Sequence, residues 1–105
     1  MDCIGWLSPQ GELIKCNEHG HLDTAAHLVK RLGINSSQMN ADEALRNCGW
    51  VRISKMIYGD CGISFFHPRF LTEPQKDFLR DIYFSDVNIS RQGMETLKYF
   101  DIVEE

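Results

Sequence analysis

The stretch CIGWLSPQGELIKC, residues 3–16, places two short apolar segments around a tight turn. The turn, Ser8-Pro9-Gln10-Gly11, has proline and glycine at positions that β-turns favour. The flanking residues predict strands over 3–7 and 12–16, so we expect this stretch to form a β-hairpin. The rest of the chain can be placed relative to that hairpin.

An amphipathic helix follows the hairpin. Its apolar residues recur at helical spacing and are Leu22, Ala25, Ala26, Val29 and Leu32. Lys30 and Arg31 near its end complement the helix dipole, and Gly33 is a natural C-terminal stop. The spacing and the end signals together predict a helix over about three turns.

Three later helices begin at recognisable capping residues. Asn40, with Glu43 three positions on, predicts a second, short helix. Thr72 and Gln75 form a capping box for a third helix, and Ser90 caps a last one. The chain therefore has two helices before residue 50 and two near its C-terminal end.

A second hairpin lies between the second and third helices. Residues 50–57 alternate apolar and polar side chains, as a strand with one buried face does, and residues 63–66 form the return strand. A Gly-Trp pair begins the first strand of each hairpin, with the indoles at Trp6 and Trp50. We therefore expect both strands in one antiparallel sheet, with the two tryptophans as core anchors.

The length of the chain limits it to one domain. A chain of 105 residues can bury one hydrophobic core and is too short for two. The predicted fold of residues 1–105 is α+β: a small antiparallel sheet of about four strands (two hairpins), with helices packed on one side of it and two C-terminal helices.

The net charge of −4 is unevenly distributed. Residues 1–57 hold six Lys/Arg and six Asp/Glu, whereas residues 58–105 hold five and nine. Domains dedicated to nucleic acid are usually basic, because phosphate contacts supply much of their affinity. The charge balance therefore makes direct nucleic-acid binding the weaker expectation and favours a protein partner with a basic face.

The sequence also bears on compartment. No apolar run is long enough to span a bilayer, and the N-terminus lacks the basic and apolar segments of a secretory signal. We therefore expect a cytoplasmic protein with no membrane partner. In that compartment Cys3, Cys16, Cys48 and Cys61 should be reduced thiols, most of them packed as small core hydrophobes.

Cys16, His19 and His21 form the best candidate metal site. Zinc takes cysteine and histidine ligands in a tetrahedral set, and Cys48 or Cys61 could supply the fourth. The spacing differs from the standard zinc motifs. The alternative is that Cys16 is buried at the end of the hairpin while an imidazole bonds a loop carbonyl or helps to cap the helix.

No group of residues indicates an enzyme. The thiol of Cys61 has His67 six positions on, but its nearest charged neighbour in sequence, Asp60, opposes ionisation. Carboxylates are spread along helix faces and are not paired across a plausible cleft. We therefore expect no catalytic residues and no cofactor.

Two surfaces are candidates for binding a partner. The acidic candidate is the set Asp77, Asp81, Asp86 and Glu95, of which the first two share a helix face at a spacing of four. The alternative reading of these carboxylates is an ordinary solvated surface. The basic candidate lies on the second hairpin, where Arg52, Lys55 and Arg69 would bind nucleic acid beside Tyr58 or Phe66.

Several short segments together resemble small uncharacterised proteins carried by phages, prophages and plasmids of Gram-positive bacteria. These segments are GWLSPQGE (5–12), Cys16, His21, Ala25-Ala26, GWVRI (49–53) and LTEPQ (71–75). The resemblance covers roughly the first eighty positions and brings no catalytic residues with it. It implies a setting in mobile genetic elements, where small acidic proteins often inhibit host defence enzymes such as CRISPR nucleases. We therefore expect a non-enzymatic protein-interaction module that inhibits a host nucleic-acid-processing enzyme by covering a basic surface; a small regulatory nucleic-acid binder using the second hairpin is the alternative.

Overall fold

The computed structural model describes residues 2–16, 21–34, 40–56, 62–65, 68–85 and 87–103, and for residues 2, 3, 21–23 and 56 it describes the backbone only. Within these ranges the strands are β1 (Asp2–Leu7), β2 (Leu13–Lys15), β3 (Val51–Met56) and β4 (Gly62–Phe65). The helices are α1 (His21–Leu32), α2 (Ala41–Asn47), α3 (Glu73–Phe84) and α4 (Arg91–Tyr99). The predicted α+β class, the two hairpins and the two C-terminal helices are confirmed.

The four strands form one antiparallel sheet in the order β2-β1-β3-β4. The first strand of the chain is therefore central and pairs on both sides. Trp6 lies opposite Ile14 of β2 and opposite Arg52 of β3. The prediction that the two Gly-Trp segments enter one antiparallel sheet is confirmed.

Helices cover both faces of the sheet, not one as predicted. Trp6 and Leu7 are adjacent in β1, so they point to opposite faces, and both are fully buried. The face of Trp6 packs against α1 and α2 and includes Ala25, Leu28, Val29, Ala44 and Leu45. The face of Leu7 packs against α3 and α4 and includes Val51, Ile53, Phe65, Leu79 and Leu97. This arrangement also buries Arg52 and Ser54, which the alternating pattern of β3 had placed on an exposed face.

The predicted capping residues begin their helices. Asn40 accepts a hydrogen bond from the backbone N–H of Glu43 at 2.8 Å. Thr72 and Gln75 form the reciprocal capping box of α3, and the Ser90 hydroxyl accepts from the backbone N–H of Gly93. Each cap satisfies a backbone donor that the helix cannot pair internally.

The side chain of Gln75 is fully buried and joins three segments of the chain. Its Nε2 group donates to the carbonyl of Gly49 at 2.7 Å and to that of Ser8 at 3.1 Å. The Thr72 hydroxyl donates to the carbonyl of Pro9 at 2.6 Å. The start of α3 is thereby fixed to the turn of the first hairpin and to the residue that precedes Trp50.

The outer edge of β4 is covered by the segment between α3 and α4. The N–H of Ile63 donates to the carbonyl of Asn88, and the N–H of Ser90 donates to the carbonyl of Ile63. These bonds pair both backbone groups of Ile63 at an edge where unpaired groups could otherwise associate with another chain. Gly93 allows α4 to approach closely, because a Cβ there would lie 2.7 Å from the carbonyl oxygen of Ile63.

Candidate functional site

The predicted acidic residues of α3 lie on its exposed side. Asp77 and Asp81 are both exposed, but Asp77 forms an ion pair with Arg80 at 3.0 Å. One turn earlier Lys76 and Glu73 form another pair at 3.6 Å. The outer face of α3 is therefore a mixture of charges with a small acidic excess, not a uniform acidic stripe. Of the other two residues in the predicted set, Glu95 is exposed on α4 and Asp86 lies outside the described residues.

The C-terminal end of α3 carries an exposed apolar surface, which we call the apolar tip and which consists of Tyr83, Phe84 and Val87. The exposed fraction is 76% for Phe84, 44% for Val87 and 36% for Tyr83. The rings of Tyr83 and Phe84 meet edge to face, with centroids 5.2 Å apart. The spacing of four from Leu79 would place Tyr83 on the buried side of this helix, yet its side chain is exposed. Leu79 holds the buried side, and the ring of Tyr83 lies beyond the part of α3 that packs on the sheet.

Arg52 does not belong to an exposed basic surface. Only 8% of the residue is exposed, and its Nη1 lies 3.6 Å from a carboxylate oxygen of Asp42. Burial lowers the pKa of Arg52 from its ordinary value, while the carboxylate of Asp42 acts in the opposite direction. The prediction of an exposed Arg52 on the basic surface is therefore wrong, because α2 covers this face of β3.

The other two residues of the predicted basic set are exposed but separated. Arg69 lines a cleft together with Trp50, at the beginning of β3. Lys55 lies five residues after Trp50 in the sequence. A strand advances about 3.3 Å per residue, which places the backbone of Lys55 roughly 16 Å from that of Trp50. The second hairpin thus does not assemble the three cations into one surface.

A different set of residues lies around Trp50 and was not predicted. A cleft of about 360 Å³ is lined by Glu43, Arg46, Asn47, Trp50, Pro68 and Arg69. We call it the Trp50 cleft. Trp50 is half-buried, whereas Trp6 is fully buried, so of the two predicted core anchors Trp6 is confirmed and Trp50 lies at the rim of the core. The two Gly-Trp pairs predicted buried tryptophans, but they did not indicate that Trp50 would stay partly accessible to solvent.

Trp50 also lines a second, smaller cleft of about 180 Å³. This second cleft also contains Arg31 from the end of α1 and Leu32, of which 49% is exposed. Trp50 therefore lines two clefts, one with Arg46 and Arg69 on its wall and the other with Arg31. The sequence placed Arg31 near the end of α1, but gave no sign that it would share a surface with Trp50.

The cysteines differ from the sequence expectation. Cys16 is disulfide-bonded, so the prediction of a reduced thiol is wrong for this residue. Cys48 is a free thiol and is exposed instead of packed in the core. A sulfur in a disulfide cannot serve as a thiolate ligand, which removes Cys16 from the predicted zinc set as the structure stands.

The two histidines of the predicted metal site and Cys61 cannot be compared with the structure, because the relevant parts of them lie outside the described residues. This holds for His19, for the side chain of His21 and for Cys61 with its neighbour His67. Among the residues that are described, no group of three or more His, Cys, Asp or Glu side chains could hold a metal ion. The histidines thus keep the status of a prediction from sequence.

None of the four described helices has the length and apolar composition that crossing a membrane requires. No protein-family model matches the chain, and searches among curated proteins and solved structures gave no significant match.

Proposed function

We propose that this protein is a non-enzymatic interaction module that binds a protein partner through the apolar tip. The observation that carries the proposal is the 76% exposure of Phe84 beside Tyr83 and Val87. Exposed aromatic residues that adjoin one another are costly in water and are enriched at the centres of protein interfaces. The fold supports this use, because the buried Leu79 anchors α3 in the core while Tyr83 and Phe84 stay exposed at the end of the same helix.

The charges along α3 favour a partner with a basic rim. On α3 the carboxylates Glu73, Asp77 and Asp81 outnumber the cations Lys76 and Arg80. The larger acidic excess of residues 58–105 has the same sign. Complementary charge of this kind steers association and orients partners, while buried apolar contacts supply most of the affinity.

In its most specific form, the proposal is a phage-encoded inhibitor of a host defence nuclease, similar in role to anti-CRISPR proteins. Support for this form comes from the resemblance of the sequence to proteins of mobile genetic elements. Nucleases bind their substrates in basic channels. An acidic protein with an apolar anchor is complementary in charge to such a channel. Inhibition would occur by occlusion of such a channel.

The test is affinity capture from host lysate, with nuclease digestion before elution, using the native sequence and two variants. Phe84→Ser removes the most exposed ring of the tip, and Tyr99→Ser removes a ring on α4 that is 67% exposed but lies outside the tip. A partner captured by the native protein and by Tyr99→Ser but lost with Phe84→Ser supports the proposal. We expect the loss to correspond to about 2 kcal/mol or more. A partner retained equally by all three proteins contradicts the role of the tip.

The contribution of charge is tested separately with the double change Asp77→Asn and Asp81→Asn. Both residues are exposed, so folding should be unaffected. We expect weaker binding at low ionic strength and a flatter dependence of affinity on salt, because screening acts on exposed charges. An unchanged affinity at low salt would show that these carboxylates do not face the partner.

A further inference from the structure

The Trp50 cleft has the composition of a site for an anion that also carries a flat ring. Two arginines reach it from separate elements: Arg46 from the end of α2, and Arg69 from the segment that precedes α3. The wall also contains one carboxylate, Glu43, and one amide, Asn47. The lining is thus net positive in a chain whose overall charge is −4. A positively charged cleft in a protein of negative net charge indicates that the cleft attracts an anion.

The position of Arg46 is fixed by a neighbour. Its Nε lies 2.7 Å from Oδ1 of Asp42, whose side chain is only 12% exposed, while 41% of the Arg46 side chain remains exposed. The same carboxylate group also faces the buried Arg52 at 3.6 Å. Asp42 therefore holds one edge of the Arg46 guanidinium in place, and a guanidinium fixed in this way loses little conformational entropy when it binds an anion.

Arg69 provides the second cation and is exposed. Among the described residues no carboxylate lies within ion-pair distance of it. Its charge is thus not neutralised within that part of the chain. The half-buried Trp50 lines the same cleft as the two arginines, and its indole is a flat surface on which an aromatic ring can stack.

We propose that the Trp50 cleft binds one nucleotide unit, with the base stacked on Trp50 and the phosphate held by Arg46 and Arg69. Asn47 and Glu43 offer hydrogen-bonding groups to the edge of the base. A volume of about 360 Å³ suits a single nucleotide and not a duplex. The unit is either a free nucleotide or one residue of a single strand, since both present the same base and phosphate. This site is distinct from the apolar tip, so it goes beyond the proposed protein interaction.

The experiment uses the fluorescence of the two tryptophans in the full chain. Trp6 is fully buried, so a bound base should affect Trp50 alone. Adenosine 5′-monophosphate is titrated at low salt, with adenosine and ribose 5-phosphate as probes that each lack one half of the ligand. We expect saturable quenching by the nucleotide and at least about tenfold weaker binding of either half, because stacking and the charge-assisted bonds contribute together.

Variants locate the site. Arg69→Gln should weaken binding about tenfold, because it removes one of the two phosphate donors. The matched control is Arg80→Gln, an arginine on α3 that is paired with Asp77 and does not line the cleft, and it should leave affinity unchanged. Trp50→Phe should abolish the fluorescence change while circular dichroism confirms the fold. Equal affinities for the native protein and Arg69→Gln would overturn the proposal, as would the absence of saturable quenching by any probe.

A second titration with a six-nucleotide single strand distinguishes the two sources of the ligand. Tighter binding of the strand than of the mononucleotide, with a strong salt dependence, assigns the cleft to single-stranded nucleic acid. Equal or weaker binding of the strand assigns it to a free nucleotide. Failure of both ligands overturns the inference but leaves the apolar tip and its protein partner unaffected, because the two sites share no residue.

Discussion

The side-chain Nε2 of Gln75 donates a 2.7 Å hydrogen bond to the carbonyl oxygen of Gly49. This bond joins the first turn of α3 to the residue immediately before Trp50. Gly49 has a φ of +93°, a conformation that residues other than glycine rarely adopt, and a Cβ added there would lie 3.7 Å from the ring of Phe70. Gln75 thus fixes a turn that glycine makes possible, and that turn sets the position of the Trp50 cleft.

Replacement of Gln75 should be strongly destabilising. In Gln75→Met the side chain keeps a similar volume but cannot donate to the buried carbonyls of Gly49 and Ser8. We expect the free energy of unfolding to fall by about 2–3 kcal/mol, measured by urea denaturation, since an unsatisfied buried acceptor is costly. The control, Gln10→Met, alters an exposed residue of the first turn and should change stability by less than about 0.5 kcal/mol. Equal midpoints for the two variants would show that the Gln75 amide contributes nothing.

The Asp42 carboxylate should be needed to compensate the buried charge of Arg52. Asp42→Asn leaves that cation beside an uncharged amide, and we expect stability to fall by about 3 kcal/mol. Adding Arg52→Met removes the uncompensated charge, so the double variant should be more stable than Asp42→Asn alone. Thermal denaturation of the two variants measures this difference. If the double variant unfolds at a lower temperature than Asp42→Asn alone, the buried charge of Arg52 does not explain the loss of stability.

Gly93 should resist replacement even though it lies within a helix. Alanine is the better helix former by about 1 kcal/mol, so helix propensity alone predicts that Gly93→Ala is stabilising. The added Cβ would lie 2.7 Å from the carbonyl oxygen of Ile63 and 2.8 Å from a methyl group of Ile89. We therefore expect a net destabilisation of about 1–3 kcal/mol in chemical denaturation. Lys98→Ala, at an exposed position of α4, is the neutral reference; a stabilised Gly93→Ala would mean that α4 can move away from β4.

The thiols should react differently in the folded protein. Cys48 is free and exposed, so iodoacetamide should alkylate it without a reducing agent. Cys16 is disulfide-bonded and should be labelled only after reduction. Peptide mass spectrometry before and after reduction distinguishes the two. Labelling of Cys16 in the absence of reductant would restore the expectation from sequence that this residue is a reduced thiol.

Local features of the fold were predictable because their causes are local. The caps at Asn40, Thr72 and Ser90 depend on residues within three positions, and all three begin helices as predicted. The turn at residues 8–11 has the same character, since its chemistry is contained in four residues. For the same reason the two hairpins and the α+β class could be read from the sequence.

What could not be predicted depends on contacts between distant segments. Helices on both faces of the sheet bury Arg52, which alternation alone placed toward solvent. The cleft around Trp50 combines α2 with the segment before α3, and no spacing rule connects Arg46 to Arg69. The exposure of Phe84 follows from where α3 stops packing on the sheet, a position that the helical pattern does not reveal.

The placement of the Gln75 amide also bears on how long the folded state persists. The acceptors of its Nε2 group lie 26 to 68 residues away along the chain. Contacts that close such long loops form late in folding, after the helices and hairpins, because the chain entropy of closure must be overcome first. Weakening this amide should therefore accelerate unfolding and leave the rate of folding nearly unchanged. Gln75 would then control the kinetic lifetime of the native chain, and with it the protection of the protein from proteolysis.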